Sequence, residues 1–487
     1  MKKKVFISKV LSMSAVMFLL NISNICYSIF ISRKAGAEGI GMFHLVMSVY
    51  TFGVTVSISG IGLTATRLIS DMPSPLAIKC ADSIVAKCIK VCLVPASLAF
   101  FILYFFSDII SVRLLSNPYC SICLKFMAPT LICTAVSSVI NGYFTAFGKI
   151  GSIAFGRLMS DLGVWVSTIL LLGRYSQAKI YIAVVIAFCT GIILECMCNI
   201  ILWLRARNPM HCKETVDYIS VLRLCTPLAI GSYLRTGLIS CENILIPFML
   251  SLFGVTNAVA SYGIIKGMTL PVLMFPTVFT GAFTSLIVPE IARRRSMGYK
   301  NGIRYISSLS VEFILRFAFL VSAVYLKWYK DITGNFFTET DAGIYLKMLS
   351  FLPIFLFLDS VVDSILKGMD KQVTSLKINI VDSVCRVIFI IIFIPRYGMI
   401  AYIAIMYISE IINLGFSYIT LKKSSNLSFP FKKGVAVPLI SIVICEFVSK
   451  LIPFSNLWAS ICFYAAIYIL SLSFLTLVLE NAYKKVI

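Results

Sequence analysis

The sequence predicts an all-α polytopic membrane protein of about fourteen transmembrane helices, built as two pseudo-symmetric six-helix lobes plus two C-terminal helices. Three observations predict it. Of 487 residues, 59% are hydrophobic and 13% charged, where an ordinary soluble domain has roughly 25% charged; mean hydropathy is +0.95. The apolar residues fall in runs long enough to cross a bilayer, which takes about 20 residues at 1.5 Å rise per residue. The chain also matches itself at an offset of about 222 residues (Lys125 against Lys347).

The first run, 5–31, follows Met1, Lys2, Lys3 and Lys4 and resembles a secretory signal. It is too long for a signal core and lacks a small-x-small cleavage site, so it is expected to be a retained span. Five more runs, 42–64, 89–107, 122–144, 153–172 and 181–204, complete the first group. The longest hydrophilic gap, 205–223, is too short for a catalytic domain. The second group is 224–250, 263–288, 307–329, 343–365, 377–394 and 399–421, and the last hairpin is 435–452 and 457–479.

The charge balance fixes orientation and excludes one class of partner. Lys and Arg number 43 and Asp and Glu 21, a formal net charge of +22. In a soluble protein this would point to nucleic acid. Here the charges punctuate the spans, so nucleic acid is not the expected partner. With the N-terminus inside, the inner segments hold more than twice the Lys and Arg of the outer ones, as positive-inside insertion requires. A cell-membrane protein with both termini cytoplasmic is expected.

The 16 cysteines lie mostly within apolar runs, as do Cys88, Cys133 and Cys189, where cysteine acts as a small hydrophobe. Cys120 and Cys123 form one CxxC with no second pair, and His44 and His211 are far apart in sequence. No metal site is expected. No P-loop, nucleophile elbow or HExxH occurs, so the chain does not read as an enzyme.

The repeat preserves topological position. Lys125 opens the fourth span and Lys347 the tenth; Ser138-Val139 meets Ser360-Val361, and Lys149 meets Lys371 in the following loop. Arg174-Tyr175 meets Arg396-Tyr397, and one residue of slip later Tyr181-Ile182-Ala183 meets Tyr402-Ile403-Ala404. A period of six spans gives two copies in one orientation, a parallel repeat about an axis along the membrane normal. The expected lobes are 1–215 and 216–423, with 424–487 appended. Such a body suits alternating access.

Charges within the apolar core are costly and face a cavity or a partner. Arg235 and Glu242 lie seven residues apart in the seventh span, on one helical face. They read either as cavity groups or as a buried ion pair between lobes. Lys266 lies in the eighth span, which Pro271, Pro276 and Gly281 interrupt. Arg33 and Lys34 end the first span. If Arg235, Lys266, Arg33 and Lys34 converge, they form a basic vestibule suited to a diphosphate. Asp382 with Arg386, Glu312 with Arg316, and Arg157 with Asp161 are i,i+4 pairs that neutralise themselves. Asp359, Asp363, Glu195 and Glu410 are read as lacking such a neighbour. They either couple transport to cations or protons, or satisfy polar neighbours across the helix packing.

The stretch Gly36-Ala37-Glu38-Gly39-Ile40-Gly41-Met42-Phe43-His44-Leu45, with Gly60-Ile61-Gly62-Leu63 and Arg67-Leu68-Ile69-Ser70, resembles the stage V sporulation protein B family. So do Tyr262-Gly263, Lys266-Gly267-Met268, Leu270-Pro271 and Val288-Pro289-Glu290-Ile291-Ala292. The likeness runs over nearly the whole chain. It implies membership of the multidrug/oligosaccharidyl-lipid/polysaccharide exporter superfamily, beside lipid II flippases, and a role in spore cortex peptidoglycan synthesis. It also implies a cavity lined by the first, second, seventh and eighth spans, with Arg235 and Lys266 in it. Relatives that flip lipid II carry arginines within the first span, whereas this chain has Asn21 and Asn24 there.

The expected function is a flippase that moves an undecaprenyl-diphosphate-linked glycan, lipid II, across the cytoplasmic membrane, its tail in a groove beside the C-terminal helices. Expected partners are that lipid-linked sugar, membrane lipid and cortex-synthesis enzymes, around a monomer. No bound cofactor is expected; Na+, H+ and the membrane potential are the alternative couplings. The rival readings are a cation-coupled multidrug exporter of the same superfamily and a non-transporting cell-wall scaffold.

Overall fold

A computed structural model describes residues 2–58, 60–173, 180–207, 217–337, 339–425, 427–452 and 456–486. Arg174-Tyr175 of the repeat, His211 and Lys213 lie outside them. Every regular element among the described residues is helical. In chain order they are α1 (Lys2–Ile58), α2 (Ile61–Ser70), α3 (Ser74–Phe105), α4 (Ser107–Ile109), α5 (Cys120–Met127), α6 (Thr130–Ala146), α7 (Ile150–Leu172), α8 (Ile180–Ala206) and α9 (Tyr218–Leu252). There follow α10 (Ala258–Gly263), a π-helical turn Ile264–Thr269, α11 (Leu270–Met274), α12 (Thr277–Ser296), α13 (Lys300–Phe336), α14 (Asp341–Met348) and α15 (Leu352–Gly368). The last are α16 (Gln372–Ser425), α17 (Val437–Leu451) and α18 (Leu457–Val486).

Nine helical stretches among the described residues are long and apolar enough to span, or eleven with two bent pairs counted as one span each. Two of them run 52 and 54 residues, about 80 Å at 1.5 Å per residue, far beyond a hydrocarbon core of roughly 30 Å. Each breaks at a glycine with positive φ, Gly36 (φ 70°) and Gly398 (φ 59°), a conformation other residues adopt only under strain. Each therefore supplies two crossings. With α9, 35 residues long, the described helices have the length for fourteen crossings. One bent pair is Ala258–Met274 with Thr277–Ser296, turned by 55°, where Pro271 and Pro276 withhold backbone donors.

The repeat is visible in the backbone. α5 and α14 have 8 residues each, α6 and α15 have 17 each. After each second helix comes a left-handed residue, Gly148 (φ 64°) and Asp370 (φ 62°), again 222 positions apart. The chain is a multi-pass membrane protein, and its surface agrees: Phe105 is 66% exposed, Leu170 68%, Val443 69% and Leu470 70%. Apolar area on that scale has no place in water.

Packing divides the chain into two compact units, Met1–Gly267 with Val387–Met399, and Met268–Arg386 with Ile400–Ile487. In the first, α2, α3, α6 and the start of α9 share a core rich in small residues, including Ala65, Cys88, Ala96 and Ala135. A Cβ on Gly142 would stand 2.4 Å from the Gly62 carbonyl oxygen, so these backbones touch, as small residues allow in membranes. In the second unit, Ala323, Cys445, Tyr464 and Tyr468 pack α13 against α17 and α18. There Lys327 pairs with Glu446 at 3.0 Å and lies 5.0 Å from the Trp328 and Tyr464 ring centres.

Candidate functional site

Lys266 is placed by glycine contacts. A Cβ on Gly263 would stand 2.0 Å from the Ala37 carbonyl oxygen, and one on Gly41 would stand 2.3 Å from that of Val259. α10 thus lies backbone to backbone on α1 just past the Gly36 break. The Ser32 hydroxyl donates to the Gly267 carbonyl, which joins the end of the first arm of α1 to the π-helical turn. Exposed Arg33 and Lys34 follow Ser32 directly, and half-buried Lys266 precedes Gly267. The structure therefore brings Arg33, Lys34 and Lys266 to one corner of the first unit.

Lys266 acts electrostatically on His44, whose Nε2 is buried without a described hydrogen-bond partner. One turn before Lys266, Tyr262 is hydrogen-bonded to the Ser48 side chain and feels the charge of Glu242. Glu242 is only 5% exposed. Lys266 and Glu242 both have partners. A buried polar cluster of His44, Ser48, Glu242, Tyr262 and Lys266 thus joins α1, α9 and α10.

Arg235 stands apart from it. The Tyr233 hydroxyl donates to the Val56 carbonyl at 3.3 Å, and the Ser240 hydroxyl to that of Ser48 at 2.8 Å. α9 therefore runs antiparallel to the second arm of α1. On this register Arg235 lies near residue 54 and Lys266 near residue 44, about 15 Å apart along the axis. Arg235 is exposed. Glu242, on the same nominal face, turns into the protein, and no described residue pairs with Arg235. The four basic groups form a corner and an outpost, not one cluster.

The acidic candidates sit in two places. Glu195, on α8, is half-buried; the Asn141 side chain hydrogen-bonds it, and Arg157 and Asp161 lie within electrostatic reach. The other three are in the second unit. Asp359 accepts from Asn413 Nδ2 at 3.1 Å, and the same amide lies 3.2 Å from Asn379 Oδ1. Asp359 Oδ1 and Asn413 Oδ1 are buried with no described hydrogen-bond partner. Glu410 is half-buried and partnered. Asp363 corrects a sequence expectation: it has an i,i+4 neighbour, pairing with Lys367 at 2.6 Å and accepting from the Ser375 hydroxyl.

The i,i+4 pairs lie in both units. Arg386 pairs with Asp382 at 2.6 Å and donates to the Ser409 hydroxyl at 3.0 Å, while Ser409 donates to Asp382. Arg316 pairs with Glu312 and donates to the Lys433 carbonyl at 3.2 Å. Arg157 acts on Asp161 electrostatically, whose Oδ2 is buried without a described partner. Among the described residues no group of three or more His, Cys, Asp or Glu is arranged to hold a metal ion.

No protein-family model matches the sequence, and no curated protein matches it. Solved structures do. The lipid II flippase MurJ in an inward closed conformation matches with TM-score 0.75 at 16% identity, over 96% of this chain and 100% of that chain. An inward-facing multidrug resistance MATE family transporter of the MOP superfamily matches with TM-score 0.68 at 14% identity, over 83% of this chain and 96% of that one. The MATE multidrug transporter DinF-BH, solved as a complex, matches with TM-score 0.64 at 14% identity, over 86% and 95%. The chain has the fold of these transporters.

Sequence reasoning named Arg33, Lys34, Lys266 and Glu242 but missed the cluster around them. His44 and Ser48 stand four residues apart on α1, as do Tyr262 and Lys266 across the π-helical turn. Paired polar positions at helical spacing within apolar runs were the signal available.

Proposed function

We propose that the chain is a flippase that moves an undecaprenyl-diphosphate-linked glycan, lipid II for spore cortex peptidoglycan, across the cytoplasmic membrane by alternating access. One observation carries the reading. The lipid II flippase fold is matched over 96% of the chain, whereas the MATE structures cover 83% and 86%. That difference, some 50 to 60 residues, is about the length of the final hairpin α17 and α18. The likeness to the flippase thus takes in that many more residues of this chain than the likeness to these drug transporters, which supports the flippase reading.

The basic residues support the same substrate class. Arg235 is an exposed guanidinium with no described partner, and guanidinium geometry suits a diphosphate. Arg33, Lys34 and Lys266 offer a second basic point about 15 Å away along the helix axis, within reach of a large headgroup. The lobes 1–215 and 216–423 would rock about the loaded headgroup, while the lipid tail stays in the bilayer. Headgroup binding relieves the repulsion among Arg33, Lys34 and Lys266 at their shared corner and so favours the state that encloses it. Asp359, with one buried oxygen lacking a described partner, is the acidic candidate that we assign to couple this motion to Na+ or H+.

The test is surface-exposed lipid II in cells whose own flippase is shut off. Restored exposure supports the assignment; none, with the protein verified in the membrane, overturns it. The second reading, a cation-coupled multidrug exporter, is favoured by the MATE likeness and by the Asp359 environment. Drug resistance on expression without lipid II export would establish it. A scaffold that recruits cortex enzymes would retain function when Arg235 is replaced.

A further inference from the structure

The first unit contains a cavity of about 590 Å³ between α3 and α9, separate from the polar cluster. Its wall is apolar, formed by Val94 and Pro95 on one side and Leu222, Ala229 and Ile230 on the other. Prolines lie inside both helices, Pro95 and Pro227, and each withholds a backbone donor from its helix. Along α9 the lining runs from Tyr218 to Tyr233, about 22 Å at 1.5 Å per residue. One leaflet of a bilayer is roughly 15 Å of hydrocarbon, so the crevice accommodates a whole acyl chain.

Among the described lining residues charge lies only at one end, and Arg235 follows Tyr233 beyond the other. Lys90 lines the cavity and is its only charged lining residue among those described. The Lys87 ammonium stands 5.6 Å from the centre of the Tyr218 ring at the same end, where exposed Arg223 also lies. The carboxylates there are Asp217, at the cap of α9, and half-buried Asp82, which Arg207 faces. Val94 and Ile230, at 71% and 54% exposure, form an open lateral rim.

We propose that this crevice is a binding site for an anionic glycerophospholipid, whose phosphate sits at Lys90 and Lys87 and whose acyl chain lies along α9 toward Tyr233. An apolar slot one leaflet deep, with two ammonium groups at its mouth, matches a lipid with a negatively charged headgroup. The site is independent of the transport reading and requires no transport to be detected.

The test uses the full chain in phosphatidylcholine vesicles with a reporter, Val94→Trp, on the exposed rim. Quenching by brominated phosphatidylglycerol is compared with quenching by brominated phosphatidylcholine, with the native tryptophans subtracted from a parent sample. Each lysine near an anionic headgroup favours it about fivefold. Phosphatidylglycerol is therefore expected to occupy the site at mole fractions at least fivefold lower than phosphatidylcholine. In the Lys87→Gln, Lys90→Gln double variant this preference should vanish. Equal quenching by the two lipids overturns the proposal, as does a preference that survives the double variant. Displacement of phosphatidylglycerol by substoichiometric undecaprenyl phosphate also overturns it and assigns the crevice to a substrate tail. Absent lipid II export with intact phosphatidylglycerol preference would sink the flippase reading alone.

Discussion

Replacing Gly263 with alanine tests the placement of Lys266. The new Cβ would meet the Ala37 carbonyl oxygen at 2.0 Å, the Gly41 nitrogen at 2.8 Å and the Gly41 Cα at 3.0 Å. All three are backbone atoms, so no side chain can swing away. Ordinary contact begins near 3.4 Å, so α10 and α1 must part by about 1.4 Å. Overpacking of this kind costs about 1–3 kcal/mol, roughly a five- to 150-fold shift toward unfolding. It also displaces Tyr262 and Lys266 from Ser48 and His44, so transport should fall in step. The control is Gly281→Ala in the same broken span, where a Cβ meets nothing within 4 Å. That change should be neutral or stabilise by up to about 1 kcal/mol. The assay is the heat-inactivation midpoint of purified protein, read as the surviving monodisperse fraction, beside transport. If Gly263→Ala matches the wild type in both, the close approach of α10 to α1 is wrong.

Three further outcomes follow from the same geometry. Arg235→Ala should leave accumulation and thermal midpoint unchanged, since the side chain is exposed and unpaired by described residues. It removes a charge-assisted phosphate contact worth about 1.5–3 kcal/mol, so export should drop roughly ten- to 150-fold; normal export removes Arg235 from the site. Asp382→Ala strands Arg386, and because Asp382 is 4% exposed the loss should approach the roughly 3 kcal/mol seen when a buried pair is broken. The double change Asp382→Leu with Arg386→Met should recover most of it, and a single variant as stable as the parent would refute the pairing. Asp359→Asn keeps the volume and an acceptor for Asn413, so stability should hold while any Na+ or pH dependence of transport disappears; unchanged dependence excludes Asp359 from coupling.

The fold was legible because the bilayer imposes a length on every apolar run. The turns near residues 31–42 and 394–399 were readable for the same reason, and Gly36 and Gly398 are the residues that make them. Lys149 and Lys371 marked the repeat, and the left-handed residues just before them, Gly148 and Asp370, show why those loops match. The site was less legible. Helical periodicity puts Arg235 and Glu242 on one face, yet it cannot say that α1 and α10 cover only the second. That difference is set by Gly41 and Gly263, whose close approach no single-helix pattern reveals. The Asp363–Lys367 pair was legible by spacing, and it removes Asp363 from the carboxylates without a counter-charge on their own helix.

The most direct measurement of the central claim is lipid II at the outer surface of cells depleted of their own flippase, with the wild-type chain or its Arg235→Ala variant. The account predicts restored exposure with the wild type and near-background exposure with an equally abundant variant. Background exposure with both proteins present in the membrane would contradict it.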